Sequence, residues 1–156
     1  PVPHDGATIG ELQLTGATLY DGYLNRPEAT AASSDGVWFR TGDAAVIDAG
    51  GFHRIVGRQS MDIIKTGGFK VGAGEVETVL LGHPAVREAA VVGVADPDLG
   101  QRIVAYVVAD NVEPGALIEH VAAQLSVHKR PREVRVVAEL PRNAMGKVQK
   151  HLLATP

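Results

Sequence analysis

Residues 86–109 read VREAAVVGVADPDLGQRIVAYVVA, and this stretch determines the predicted fold of the C-terminal half of the chain. It contains two apolar runs rich in β-branched residues, Val86–Val94 and Arg102–Ala109, which are typical of strands. Between them, Asp96–Gly100 contains Asp, Pro and Gly, which favour a turn. The stretch therefore predicts two strands joined by a turn.

Further segments extend this pair into a domain. Gly74–Leu81 and Pro114–Val127 space their apolar residues at helical intervals, and Val134–Val137 predicts a third strand. Together these elements predict an α+β domain with a three-stranded sheet and two helices on one face. Shorter elements are predicted at Met61–Lys65 (strand), 69–71 (extended chain) and Gln149–Leu153 (helical turn).

Residues 1 to about 57 are rich in turns and predict a β-rich region. Glu11–Leu14 alternates with the period of a strand. Asn25–Thr30 combines a capping residue with an early proline and predicts a short helix. Ala44–Ile47 and Phe52–Val56 flank a glycine-containing turn and predict a β-hairpin.

Composition excludes several classes of function. The chain has 156 residues, 45% of them hydrophobic, with a net charge of −3 and no cysteine. The lack of a basic block argues against nucleic-acid binding, and the lack of cysteine excludes disulfides and thiolate chemistry. No apolar run approaches the roughly 20 residues of a membrane helix, and the first residues do not resemble a signal peptide. The six histidines show no metal-ligand spacing. We therefore expect a soluble cytoplasmic protein with neither nucleic-acid nor membrane partners and no metal ligands of its own.

Two charged residues in the N-terminal part are candidates for binding a sugar. Asp43 follows a glycine turn, and its carboxylate can accept a hydrogen bond from each hydroxyl of a vicinal diol such as ribose. Arg58 ends the predicted hairpin and can fork onto a sugar or phosphate. Read singly, Asp43 also fits an Asx-type turn, and Arg58 a surface ion pair, for example with Asp62.

Two glycine-containing segments are candidates for contact with anionic ligands. Lys65–Lys70 places Gly67 and Gly68 between lysines, so that a ligand could lie against the backbone; the segment is not a Walker motif. Pro141–Lys147 ends in Gly-Lys, which can present a compact positive charge to a phosphate or carboxylate. Read singly, each also fits a plain turn with solvated lysines.

Taken in order, these segments resemble the C-terminal third of the adenylate-forming superfamily, which contains acyl-CoA synthetases, peptide-synthetase adenylation domains and luciferases. The sequence of Ser60–Gly68 is most similar to that of bacterial malonyl-CoA synthetases. The resemblance extends over nearly the whole chain and is carried by Gly10–Leu12, Thr15–Gly16, Asp21–Tyr23, Trp38–Asp43, Gly57–Arg58, Asp62–Val71, Glu75–Glu77, Pro141–Arg142 and Gly146–Lys147.

The resemblance implies a role for each candidate. Asp43 would bind the ribose hydroxyls of ATP and of the adenylate, and Arg58 would contact the same ribose or a nearby phosphate. Lys147 would reach the α-phosphate and the attacking carboxylate. Lys65, Gly67 and Gly68 would belong to the loop of the CoA step, in which Gly68 lines the pantetheine tunnel.

The resemblance also implies a domain organisation. Residues 1–58 would be the β-rich end of the large adenylation domain, 59–62 the hinge, and 63–156 the small C-terminal lid. The stretch after Arg58 is one residue longer than in many relatives, so Ser60, Met61 and Asp62 are all hinge candidates. The family's phosphate loop and Tyr-Gly-x-Thr-Glu segment do not occur here. We therefore expect a fragment that depends on a missing N-terminal domain and does not catalyse adenylation alone.

The implied function is an ATP- and CoA-dependent acid–thiol ligase acting on malonate or a methylmalonate-like diacid, with Mg²⁺ ligands outside this chain. One alternative is an adenylation domain that loads a carrier protein, although Ser126–Pro131 resembles the acyl-CoA synthetase sequence more than the peptide-synthetase sequence. Another is a non-catalytic folded fragment with at most nucleotide affinity. A lysine acetyltransferase acting on Lys147 would switch the enzyme off, because acetylation removes the charge.

Overall fold

The computed structural model describes residues 1–154. The chain divides into two compact units, which we call the N-terminal unit, Pro1–Gln59, and the C-terminal unit, from Ser60 onward. Among the described residues no helix has the length and apolar character needed to cross a membrane.

The N-terminal unit is built on a three-stranded antiparallel sheet, as its turn-rich sequence predicted. The short helix is present but starts later than predicted, because Asn25 takes a positive φ of 55° and Arg26 occupies the N-cap position without a side-chain cap. The elements, in the order β1-β2-β3 with one helix, are β1 (Gly10–Leu14), α1 (Pro27–Ala32), β2 (Phe39–Ile47) and β3 (His53–Arg58).

The C-terminal unit contains a sheet of five strands, not the predicted three. The three strands predicted for the sheet are present. The short strand predicted at Met61–Lys65 and the extended chain predicted at 69–71 join them as a hairpin, which pairs with β7 at Thr66 and Gly100. Runs of four residues carry little periodic signal, which explains why their pairing was missed. The strands are β4 (Ile63–Thr66), β5 (Phe69–Gly72), β6 (Val86–Asp96), β7 (Gly100–Ala109) and β8 (Glu133–Val136).

The longest strands of this sheet are the antiparallel pair β6–β7, in which β6 lies at the sheet edge and the register runs from Val86 opposite Ala109 to Asp96 opposite Gly100. β8 pairs in parallel with β7 on its other side. β6 and β7 are apolar on both faces, so the sheet needs cover on both sides.

Two helices cover the first face, which confirms the predicted arrangement. α2 (Ala73–Leu81) buries Leu80, and α3 (Pro114–Ala122) buries Leu117, against strand residues such as Ile103. α3 ends at Ala122, before the predicted Val127. Leu125 still packs against the core beyond the helix end, and a 3₁₀ turn follows at Val127–Lys129.

The C-terminal segment covers the second face of the sheet. Leu140 and Leu153 are buried against Val104 and Tyr106, and the Tyr106 hydroxyl donates a 2.9 Å hydrogen bond to the carbonyl of Leu153. The predicted closing turn is a 3₁₀ turn at Lys150–Leu152. The chain around Lys147 is therefore held at both ends by buried leucines.

Candidate functional site

Asp43 and Arg58 lie opposite each other on β2 and β3. Arg58 Nε is 3.0 Å from Asp43 Oδ1. The Asp43 side chain is 27% exposed and the Arg58 side chain is 55% exposed. The pair therefore presents a carboxylate and a guanidinium side by side at the surface of the N-terminal unit. A vicinal diol could donate to the first while an anionic oxygen accepts from the second.

The turn before Asp43 fixes this pair. The Thr41 hydroxyl donates to the carbonyl of Leu12 at 2.7 Å and accepts from the Asp43 amide at 3.0 Å. Arg58 Nη1 donates to the Thr41 carbonyl at 2.7 Å. Gly42 has a φ of +73°, and a Cβ there would lie 3.4 Å from Arg58 Nη1. The positive φ is the reason that glycine suits this position, because side chains rarely adopt that backbone conformation.

Aromatic side chains lie beside the same pair. Tyr20 makes edge contacts with Tyr23 and Phe39, with ring centroids 5.1 and 5.4 Å apart. The hydrogen bond that the Tyr23 hydroxyl donates to Tyr20 raises the pKa of Tyr23, and the positive charge of Arg58 acts in the opposite direction. Tyr20 and Tyr23 are about half exposed, so flat apolar surface borders the charged pair. Tyr23 belongs to one of the segments that carry the family resemblance, but the sequence predicted no role for it.

Lys147 lies on a tight loop of residues 142–148, the Lys147 loop, closed by a bridge between Arg142 and Val148. Asn143 organises it: its Oδ1 accepts from the amides of Met145 at 3.0 Å and Lys147 at 2.9 Å. Gly146 has a φ of +78° and its amide donates to the Asn143 carbonyl. Lys147 itself is exposed. The loop holds the backbone fixed and leaves the ammonium group accessible.

Arg142 attaches this loop to the sheet. Its Nη1 donates to the carbonyl of Gly146 at 2.6 Å, and its Nη2 donates a hydrogen bond to the carboxylate of Glu88 on β6. The sequence included Arg142 in the resemblance without a role, and Asn143 was missed. An Asn three residues before a Gly is typical of a turn closed by its own side chain, so that signal was available.

Gly67 and Gly68 form the turn between β4 and β5, the glycine turn, with φ values of +55° and +83°. A Cβ on Gly68 would meet nothing within 4 Å, so the backbone there is open to an approaching ligand. Lys65 precedes the turn and is exposed, while its amide donates to Gln101 Oε1 at 2.8 Å.

The glycine turn and the Lys147 loop lie at opposite ends of the β6–β7 pair. The Gly67 amide donates to the carbonyl of Leu99 in the β6–β7 turn at 2.9 Å. The Lys147 loop is attached at Glu88, near the other end of β6. Eight residues separate Glu88 from Asp96, about 26 Å along an extended strand. The unit therefore presents two distinct candidate surfaces.

The hinge candidates differ in their surroundings. Ser60 and Met61 are exposed, whereas Asp62 is 19% exposed and forms an ion pair with Lys150, at 2.5 Å from Lys150 Nζ. Lys150 also pairs with Glu77 at 2.7 Å. Lys150 was missed in the sequence, since its partners are distant along the chain. Within residues 1–154, no group of three or more acidic or histidine side chains could hold a metal ion.

Comparison with known proteins identifies the relatives of this chain. The AMP-binding enzyme C-terminal domain family matches residues 75–147. The sulfoacetate–CoA ligase of Cupriavidus necator is 44% identical over 153 residues, covering 95% of this chain and 30% of that protein. The mitochondrial malonate–CoA ligase ACSF3 of Mus musculus is 45% identical over 146 residues, covering 90% of this chain and 25% of that protein.

Solved structures of related enzymes have the same fold. ATP-bound MatB from Rhodopseudomonas palustris superposes with a TM-score of 0.84 at 36% identity, covering 98% of this chain and 31% of that one. The o-succinylbenzoate CoA synthetase MenE of Bacillus subtilis, in complex with the acyl-adenylate intermediate OSB-AMP, gives a TM-score of 0.88 at 36% identity, covering 97% and 31%. The chain thus spans about a third or less of the length of these relatives.

Proposed function

Since this chain belongs to the adenylate-forming superfamily and contains its C-terminal domain, we propose that it is the C-terminal part of an ATP-dependent acid–CoA ligase. The observation that carries this proposal is the placement of an exposed lysine loop and an open glycine turn at opposite ends of one sheet. Such a unit can serve two half-reactions with two different surfaces. An N-terminal domain would supply the phosphate loop, the Mg²⁺ ligands and most of the acid pocket.

In the first half-reaction, the Asp43–Arg58 pair holds the nucleotide. The Asp43 carboxylate accepts hydrogen bonds from the ribose hydroxyls, and Arg58 neutralises negative charge beside it. Lys147 then contacts the α-phosphate and the attacking carboxylate. These two groups are both anions, so a preorganised cation between them stabilises the transition state, by roughly 3–4 kcal/mol in comparable sites.

In the second half-reaction, the glycine turn takes the place of the Lys147 loop at the reaction site. Gly68 lets the pantetheine arm of CoA pass close to the backbone, where any side chain would obstruct it. Lys65 adds positive charge beside the path. The exchange of surfaces requires rotation about a hinge within residues 59–62. The division of the chain between Gln59 and Ser60 supports this location, and Ser60, Met61 and Asp62 are the candidates for the pivot.

The acid substrate we propose is malonate or a methylmalonate-like diacid. The support comes from relatives named as malonate– and sulfoacetate–CoA ligases, whose acids each carry a second anionic group. An acid of this kind needs a cationic partner for its second charge. That partner would lie in the N-terminal domain, together with most of the acid pocket.

The test is acid-dependent ATP–pyrophosphate exchange, measured with this chain alone and with a full-length enzyme that contains it. We expect exchange only in the full-length enzyme, with malonate or methylmalonate preferred over acetate, followed by thioester formation with CoA. Exchange by this chain alone would overturn the assignment of the missing domain. Transfer to a carrier protein but not to CoA would favour the carrier-loading alternative, and no exchange in either form would favour a non-catalytic fragment.

A further inference from the structure

Lys150 is the most enclosed ion-paired cation that the described residues contain. Its side chain is 15% exposed, and its ammonium lies 2.5 Å from Asp62 Oδ1 and 2.7 Å from Glu77 Oε1, with both acids 19% exposed. Burial lowers the pKa of Lys150, but the charges and hydrogen bonds of Glu77 and Asp62 outweigh burial and raise that pKa above its ordinary value. The group is therefore held as a charged ammonium.

The three residues come from three separate segments of the unit. Asp62 immediately precedes β4, and its carbonyl accepts from the Ala73 amide at the start of α2 at 2.7 Å. Glu77 lies on α2, and its Oε1 also accepts from the Val91 amide of β6 at 2.7 Å. Lys150 begins the 3₁₀ turn that follows the Lys147 loop. One ammonium thus joins the first strand of the unit, a helix and the C-terminal segment.

The ion pairs of Lys150 restrict the position of Lys147. Lys147 lies three residues before Lys150, and the Gln149 amide donates to the carbonyl of Pro141 at 2.8 Å. The base of the loop is therefore fixed on one side by Lys150 and on the other by Leu140, which is buried. Removing one partner of an enclosed ion pair leaves an uncompensated charge, so this anchor should not be replaceable by a neutral side chain.

We propose that Lys150 is a positioning residue for the adenylation half-reaction, because it fixes the segment that carries Lys147 to Asp62 and to α2. The Lys147 loop and the strand that follows Ser60 and Met61 then move as one body, so that rotation at the hinge delivers Lys147 to a defined place. Lys150 acts through Lys147 and touches no substrate. The inference rests on the proposed function.

The test compares Lys150→Met, Lys150→Arg and Lys129→Met in a full-length enzyme. Lys129 is a matched control, since it forms a similarly enclosed pair with Glu75, at 2.7 Å and with 24% and 22% exposure. In Lys150→Met we expect acid-dependent pyrophosphate exchange to fall roughly tenfold or more through kcat, as a small misplacement of a catalytic group would cause. Thioester formation from supplied acyl-adenylate should stay within about threefold, and Lys150→Arg should recover exchange.

A second measurement does not depend on activity. Amide hydrogen exchange of peptides covering residues 143–149 should be faster in Lys150→Met and unchanged in Lys129→Met and Lys150→Arg. Equal losses in both half-reactions, or unaltered amide exchange in Lys150→Met, would overturn the proposal. If the unaltered enzyme shows no pyrophosphate exchange, the proposed function fails, and the amide exchange still decides whether Lys150 anchors the loop.

Discussion

Arg58 Nε lies 3.0 Å from Asp43 Oδ1, across the last residue pair of the antiparallel strands β2 and β3. Arg58 also holds the carbonyl of Thr41, two residues before Asp43. The guanidinium therefore orients the carboxylate and the turn that carries it, so the two residues form one structural element.

Replacing Asp43 by Ala in a full-length enzyme should raise the KM for ATP by roughly 10- to 100-fold. The reason is the loss of hydrogen bonds to a charged group, each worth about 1.5–3 kcal/mol. Asp110→Ala is the control, because it removes another acid from an exposed ion pair, with Arg87. An unchanged KM for ATP in Asp43→Ala would remove Asp43 from the nucleotide site.

Lys147→Ala and Gly68→Leu should damage different half-reactions. Lys147→Ala should lower pyrophosphate exchange by roughly 10²–10³ and leave thioester formation from supplied acyl-adenylate largely intact. Gly68→Leu should do the reverse, because a side chain would obstruct the thiol path. Loss of the same half-reaction in both variants would contradict the assignment of two surfaces.

The Gly68 variant needs a control for backbone strain, since its φ of +83° disfavours any side chain. Gly36 has a φ of +94°, and a Cβ there would likewise meet nothing within 4 Å, so Gly36→Leu introduces comparable strain elsewhere. We expect Gly36→Leu to keep thioester formation from the adenylate. A loss equal to that of Gly68→Leu would assign the effect to strain.

Asn143→Ala should weaken the Lys147 loop. The side-chain oxygen accepts two backbone hydrogen bonds, each worth about 1 kcal/mol. We expect pyrophosphate exchange to fall roughly 5- to 30-fold, the range set by 1–2 kcal/mol. Asn143→Asp keeps an acceptor oxygen and should lose less activity. Equal activities in the two variants would show that the hydrogen bonds do not set the position of Lys147.

Acetylation of Lys147 should abolish adenylation, because it removes the charge that the phosphate and the carboxylate need. Lys147 is exposed and therefore accessible to a lysine acetyltransferase. The measurement uses enzyme with acetyl-lysine installed at residue 147, before and after deacetylation. Acetyl-lysine at the exposed Lys70 is the control and should leave pyrophosphate exchange unchanged. Full exchange activity in homogeneously acetylated enzyme would exclude this switch.

Glu133 should make the stability of this chain depend on acid pH. Hydrogen bonds from Arg135 and then Arg102 lower the pKa of Glu133 from its ordinary value of 4.5. A lowered folded-state pKa stabilises the fold above the unfolded value, and this stability is lost as pH falls through the folded value. The difference in unfolding free energy between this chain and Glu133→Gln, from urea titrations, should therefore narrow below about pH 4.5. A constant difference would refute the linkage.

The elements that the sequence predicted well are those with local signals. Val86–Val94 and Arg102–Ala109 are β-branched runs around an Asp-Pro-Asp turn, and they form the longest strand pair of the sheet. Leu117 and Val121 follow helical spacing and are fully buried on α3. The sequence order of the candidate residues also predicted the family, which the comparisons support.

The contacts that hold the candidate residues in place were not predictable from local patterns. Lys150 and Asp62 are 88 residues apart, and Arg142 and Glu88 are 54 apart. A charged residue at such a distance could pair with many partners, and only the packed sheet selects one. Asp43 lies opposite Arg58 because of the register between β2 and β3, and this register includes an irregularity after Ala44.

The spacing of these contacts along the chain also has a consequence for the order in which the unit assembles. The β6–β7 hairpin closes over a short turn, whereas the contacts of the Lys147 loop join segments far apart and must overcome a larger loop-closure entropy. We expect the hairpin to form early and the segment that contains Lys150 to dock last. Under the proposed function, adenylation would then begin only after that segment has been synthesised and has docked, and a nascent or partly opened enzyme should not consume ATP.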